Sequence, residues 1–172
     1  MKKLNLSPLE QLAMYRDLVF DGNDFDLFIG KHMLTGVPAS LQKQIKIKSR
    51  CCNAILNEGI TPECVLGWGA WLPARTFSLE SDSIPLDRQI ENIKKAYENN
   101  KEFREAFVCV VFSGKRSYHV ILKNNTEMKD LNFMIHSLSF LPDCDQYFLA
   151  RKISRVAGCY RGEILQNLEY VK

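Results

Sequence analysis

The chain has little that would place it outside the ordinary soluble class. No apolar run approaches the roughly 20 residues that a bilayer-spanning helix needs. The start, MKKLNLSPLEQ, is basic but has no apolar core behind it, so a secretory signal is not expected. Six cysteines (Cys51, Cys52, Cys64, Cys109, Cys144 and Cys159) include no Cys-x-x-Cys pair and no cysteine–histidine spacing of a zinc site. Reduced thiols in a cytoplasm follow as the simplest expectation. Net charge is only +3, so any surface for nucleic acid must be local rather than global. Among 172 residues, 46% are apolar and 25% charged, which suits one globular domain with a real core.

Residues 106–123, AFVCVVFSGKRSYHVILK, organise the rest. Ala106 to Phe112 is apolar, β-branched and aromatic without a charge, the pattern of a strand buried on both faces. Ser113-Gly114-Lys115-Arg116 supplies turn residues and two cations, and Ser117 to Leu122 resumes as a second strand. Ser117 and His119 stand two apart and so share a strand face. A hydroxyl, an imidazole and two cations at a strand edge can grip a phosphate. A tight hairpin with a solvated basic tip accounts for the same residues.

Ser7-Pro8-Leu9-Glu10 has the form of a capped helix start, with an apolar stripe running to about residue 20. Asp21 to Asp26 superficially suggests a calcium loop, but Asp26 stands where glycine is required and His32 where the closing glutamate is required. Lys43, Lys46, Lys48 and Arg50 form the most basic stretch, either a backbone contact for nucleic acid or a solvated helix face. Cys51 to Leu56 is expected to continue a helix that Asn57-Glu58-Gly59 ends. Trp68 and Trp71, set among glycines, suit either base stacking or an edge of the core.

Phe77 and Leu79 alternate with Ser78, Glu80 and Asp82, the pattern of a half-buried strand. Such a strand points both carboxylates to one face, about 6–7 Å apart, a spacing that suits divalent ions. A polar strand end with a helix cap explains them equally. Ser83-Ile84-Pro85 opens a helix carrying Ile90, Ile93 and Tyr97, which Asn99-Asn100-Lys101 closes. Glu127 to Phe140 reads as a further helix, followed by the acidic turn Asp143-Cys144-Asp145. Leu149 to Arg161 is basic and contains glycine, either an anion site or a surface helix. Leu165 to Lys172 reads as a strand or a helix.

In order, then, come Phe77-Ser-Leu-Glu-Ser-Asp82, Phe112-Ser-Gly-Lys-Arg-Ser-Tyr-His119, and Cys144-Asp145 upstream of Ser154-Arg155. This series resembles the catalytic core of the archaeo-eukaryotic primase superfamily, the primase-polymerases, in the form found in phages, plasmids and other mobile elements. The resemblance covers residues 75–161. It departs from many members in having Glu80 where aspartate is usual, and Asp143 competes with Asp145 for the third acidic place.

The resemblance implies an α/β (α+β) fold, with an RRM-like antiparallel sheet and an N-terminal α/β lobe, here 1–66 beside a core of 67–172. It implies Mg²⁺ or Mn²⁺ held by Glu80, Asp82 and Asp145. The triphosphate of an incoming NTP or dNTP would be bound by Ser117, His119, Lys115, Arg116 and Arg155. The implied activity is primer synthesis on a single-stranded DNA template, alongside a replicative helicase and with no membrane. The rival from another class is a degenerate primase-like module that binds single-stranded DNA in replication initiation.

Overall fold

The computed structural model describes residues 1–30, 48–59, 67–81, 83–113, 116–123, 153–160 and 163–172. In chain order the elements are β1 (Lys2–Lys3), α1 (Pro8–Val19), β2 (Asp26–Gly30), β3 (Lys48–Cys51), α2 (Cys52–Glu58), β4 (Gly67–Trp71) and β5 (Thr76–Leu79). They continue with α3 (Leu86–Asn99), α4 (Lys101–Ala106), β6 (Phe107–Phe112), β7 (Tyr118–Lys123), β8 (Ile153–Tyr160) and β9 (Glu163–Val171). The fold is α+β, with an antiparallel sheet ordered β3-β2-β4-β8-β9-β6-β7-β5 and β1 added on β9. Among the described residues no helix is long and apolar enough to cross a membrane.

The sheet is apolar on both faces at its centre, which explains why β6 shows no alternation. Cys109 and Val111 of β6, Ile121 of β7 and Leu168 of β9 face one way. They pack with Leu12, Tyr15 and Val19 of α1 and Ile55 of α2. Phe107 and Val110 of β6, Val120 and Leu122 of β7, and Phe77 and Leu79 of β5 face the other way. There they meet Ile93 and Ala96 of α3 and Phe103 of α4. A strand covered on both faces has no solvent side for polar residues to occupy.

Local chemistry sets the helix ends. At α1 the Ser7 hydroxyl accepts from the Glu10 amide while the Glu10 carboxylate accepts from the Ser7 amide, the reciprocal capping box that the sequence predicts. Gly59 closes α2 at φ 65°, a left-handed position that glycine takes without a Cβ clash. Asn100 ends α3 and caps α4, its side chain accepting from the Phe103 amide at 2.8 Å.

Several local expectations change. Cys51 ends a strand, β3, and the helix starts afresh at Cys52 rather than continuing one. Ala106 belongs to α4, a short helix whose Phe103 the core needs, so β6 starts at Phe107. Ile153–Tyr160 is a strand where a surface helix was one alternative, because β4 and β9 pair with it on either side. The C-terminal segment is the central strand β9, not a helix. All four residues of β5 are buried, where a half-buried strand is predicted, and the strand ends at Leu79, one residue before Glu80. The helix expected over Glu127 to Phe140 and the basic residues 43–47 lie outside the described residues.

Candidate functional site

Strand register brings two separate motifs to one point. β5 pairs with β7 antiparallel, with Ser78 opposite Ile121 and Leu79 opposite Val120. One step further along the same register, Glu80 stands opposite His119. Ser117 lies two residues before His119 on the same face, as the period of a strand requires. The hairpin that carries both is closed by the Ser113 amide donating to the Ser117 carbonyl at 2.8 Å, and by the Ser117 amide donating to the Ser113 hydroxyl at 3.1 Å.

The three side chains form a compact triangle. The Ser117 hydroxyl donates to Glu80 Oε2 at 3.0 Å. His119 Nε2 lies 2.7 Å from the same oxygen and 3.1 Å from Ser117 Oγ. A carboxylate only accepts, so we assign the proton to Nε2, shared between Glu80 and Ser117. The His119 side chain is 2% exposed and that of Glu80 10%, so this carboxylate is held by donors with little help from water.

The geometry excludes one familiar use of these residue types. In a serine-nucleophile triad the imidazole contacts serine through one nitrogen and the acid through the other. Here Nε2 meets both, and the serine also touches the acid directly. The arrangement instead orients one carboxylate oxygen with two donors. An anionic ligand gripped by Ser117 and His119 would replace Glu80 Oε2 as the acceptor.

A fourth residue binds the site together, and sequence reasoning passed over it. Gln89 in the first turns of α3 is 2% exposed. Its Nε2 donates to the carbonyls of Ile84 and Arg116, each at 2.7 Å, and its Oε1 accepts from the Tyr118 amide at 2.9 Å. The signal was present: Gln89, Ile93 and Ala96 are the buried positions of α3, so an amide occupies the apolar stripe. A small pocket beside the triangle, on the α3 side, is lined by Leu79, Glu80, Gln89, Ile93 and Tyr118. Burial foremost, with Glu169 and Tyr170 nearby, pushes the Tyr118 phenol above its ordinary value, so it stays neutral at physiological pH.

Of the residues that the sequence singles out, Glu80, Ser117 and His119 come together, and Arg116 is exposed at the hairpin tip beside them. Arg155 lies on β8 opposite Gly69 of β4, and its side chain is outside what the structure describes. Asp82, Lys115 and Asp145 lie outside the described residues. Trp71 on β4 is 57% exposed. Among the described residues no three carboxylate, cysteine or histidine groups cluster as a metal site. The oxygen donor of Glu80 suits a hard divalent ion, and a two-ion centre would need Asp82 and Asp145 beside it.

Compared with known proteins, the chain matches no family model, no curated protein and no solved structure.

Proposed function

We propose that the chain is a metal-dependent nucleotidyltransferase of the primase-polymerase type, making primers on single-stranded DNA. One observation carries the reading. Two motifs 37 residues apart, the Glu80 strand end and the Ser-x-His hairpin, meet through contacts of 2.7–3.1 Å. The α+β fold with its antiparallel sheet is compatible with this reading.

In this reading Glu80, Asp82 and Asp145 hold Mg²⁺ or Mn²⁺, which supplies a more acidic attacking hydroxyl and neutralises the leaving pyrophosphate. Ser117 and His119 release Glu80 and donate to the triphosphate of an incoming NTP or dNTP. Lys115, Arg116 and Arg155 add positive charge around it. Glu80, freed of two donors, would have both carboxylate oxygens open to serve as a metal ligand. The setting is cytoplasmic replication of a mobile element, with a helicase as working partner. Asp82→Ala should abolish metal-dependent incorporation of nucleotide, and full incorporation by that variant would overturn the ligand assignment.

A second reading has an observation of its own. Ser117 and His119 are buried and their donors meet Glu80 within the protein, as in a polar staple of a module that binds single-stranded DNA without chemistry. The exposed Trp71 suits base stacking in such a module. DNA binding that needs neither Mn²⁺ nor nucleotide, without incorporation, would favour it.

A further inference from the structure

We infer that Gln89 is a positioning residue that sets the Glu80–Ser117–His119 triangle from the helix behind it. For catalysis this rests on the nucleotidyl-transfer reading; the geometric claim stands without it.

Gln89 uses both its amide hydrogens and its carbonyl oxygen. Two of its partners, the Arg116 carbonyl and the Tyr118 amide, flank Ser117 in the chain. The third, the Ile84 carbonyl, lies in the segment joining Glu80 to α3. One side chain therefore ties the hairpin bearing Ser117 and His119 to the segment that follows Glu80. Backbone ladder bonds do not do this, because β5 ends at Leu79 and β7 begins at Tyr118. The Arg116 carbonyl lies just before β7 and the Ile84 carbonyl in the segment after β5, so the Gln89 amide joins two backbone groups that the β5–β7 ladder does not itself connect. With the two peptide groups around Ser117 fixed, its hydroxyl and the His119 ring are aimed at one carboxylate oxygen. A glutamine, unlike a carboxylate or an apolar residue of its length, can donate twice and accept once at such a point.

Gln11 provides a matched control. It is also a buried helix glutamine, donating to the Leu6 carbonyl and accepting from the Leu168 amide, but it ties α1 to β9, a strand separated from β7 by β6, and contacts none of the backbone around Ser117 that Gln89 holds. The test uses the full chain with ring-¹⁵N histidine, and the His119 signal assigned by its loss in His119→Asn. In the wild type His119 should show an Nε2-bound proton protected from solvent exchange. Gln89→Met should speed its exchange by roughly 10–150-fold, the equilibrium equivalent of weakening one hydrogen bond to a charged group. Gln11→Met should leave the signal in place even where it lowers Tm. Gln89→Asn, one methylene short but still an amide, should fold and show the same loosening.

An unchanged His119 signal in folded Gln89→Met or Gln89→Asn would overturn the assignment, as would an equal change in Gln11→Met. Incorporation kinetics test the catalytic consequence separately. With an active wild type, kcat/KM should fall roughly 100-fold in the Gln89 variants and not in Gln11→Met. A wild type that incorporates nothing would sink the enzymatic reading alone, leaving the imidazole result to decide the positioning role.

Discussion

Removing Glu80 should cost the fold stability through its two donors, and the cost should be shared with His119. Glu80→Ala deprives the Ser117 hydroxyl of its acceptor and His119 Nε2–H of its charged one, leaving the imidazole only Ser117 Oγ, at a place where the histidine side chain is 2% exposed. An orphaned buried donor costs about 1–3 kcal/mol, and a hydrogen bond to a charged group contributes about 1.5–3 kcal/mol net. With the Glu80 side chain only 10% exposed, solvent screening takes away little of this. Each of Glu80→Ala and His119→Ala should therefore destabilise by roughly 2–4 kcal/mol. The double variant should cost less than the sum of the two, by about 1.5–3 kcal/mol, because the second change removes a partner already lost. Urea unfolding followed by circular dichroism gives the four midpoints and slopes of the cycle. Additivity to within about 0.5 kcal/mol would mean that the two side chains do not interact as described.

Other consequences can be checked in the same way. Asn100→Ala removes the cap of α4 and should lower stability by about 1 kcal/mol in the same denaturation assay; no change would show that the cap at Phe103 is not holding the helix. Phe103→Ala empties a fully buried ring site between α4 and β6 and should cost about 3–5 kcal/mol, measured as a fall in the urea midpoint. Burial pushes the Cys52 thiol from 9.0 up to about 11, so folding favours its neutral form. Its contribution is complete below pH 9, where both states keep the proton, and is lost as pH rises through about 11. Stability of the wild type should consequently fall more steeply over that window than that of Cys52→Ala, and parallel curves would contradict it. Burial raises the Cys109 thiol still further, so mass-spectrometric mapping of thiol labelling at neutral pH should find Cys52 and Cys109 protected until the chain unfolds.

Much of the scaffold was legible because short-range chemistry dictates it. Ser7, Pro8 and Glu10 specify their helix start within four residues. The uninterrupted apolar run of β6 announces a strand with cover on both faces, and α1 and α3 provide it. What escaped depends on contacts distant in sequence. Ala106 reads as a strand residue by composition and is helical because Phe103, three residues earlier, is drawn into the core. Ile153–Tyr160, within the basic stretch Leu149 to Arg161 for which a surface helix was one alternative, is a strand because β4 and β9 each offer it an edge. At the site, the spacing of Ser117 and His119 foretold a shared face. It was silent on their acceptor, which the β5–β7 register supplies from 37 residues away. Gln89 looked like any helix polar residue, and only its place on the buried stripe marked it.

The most direct test of the enzymatic account is incorporation of labelled nucleotide on an unprimed single-stranded DNA template with Mn²⁺, comparing wild type with the Glu80→Ala/Asp82→Ala double variant. The wild type should give a labelled product and the double variant none. An inactive wild type that still binds the DNA, or a double variant as active as the wild type, would contradict that account.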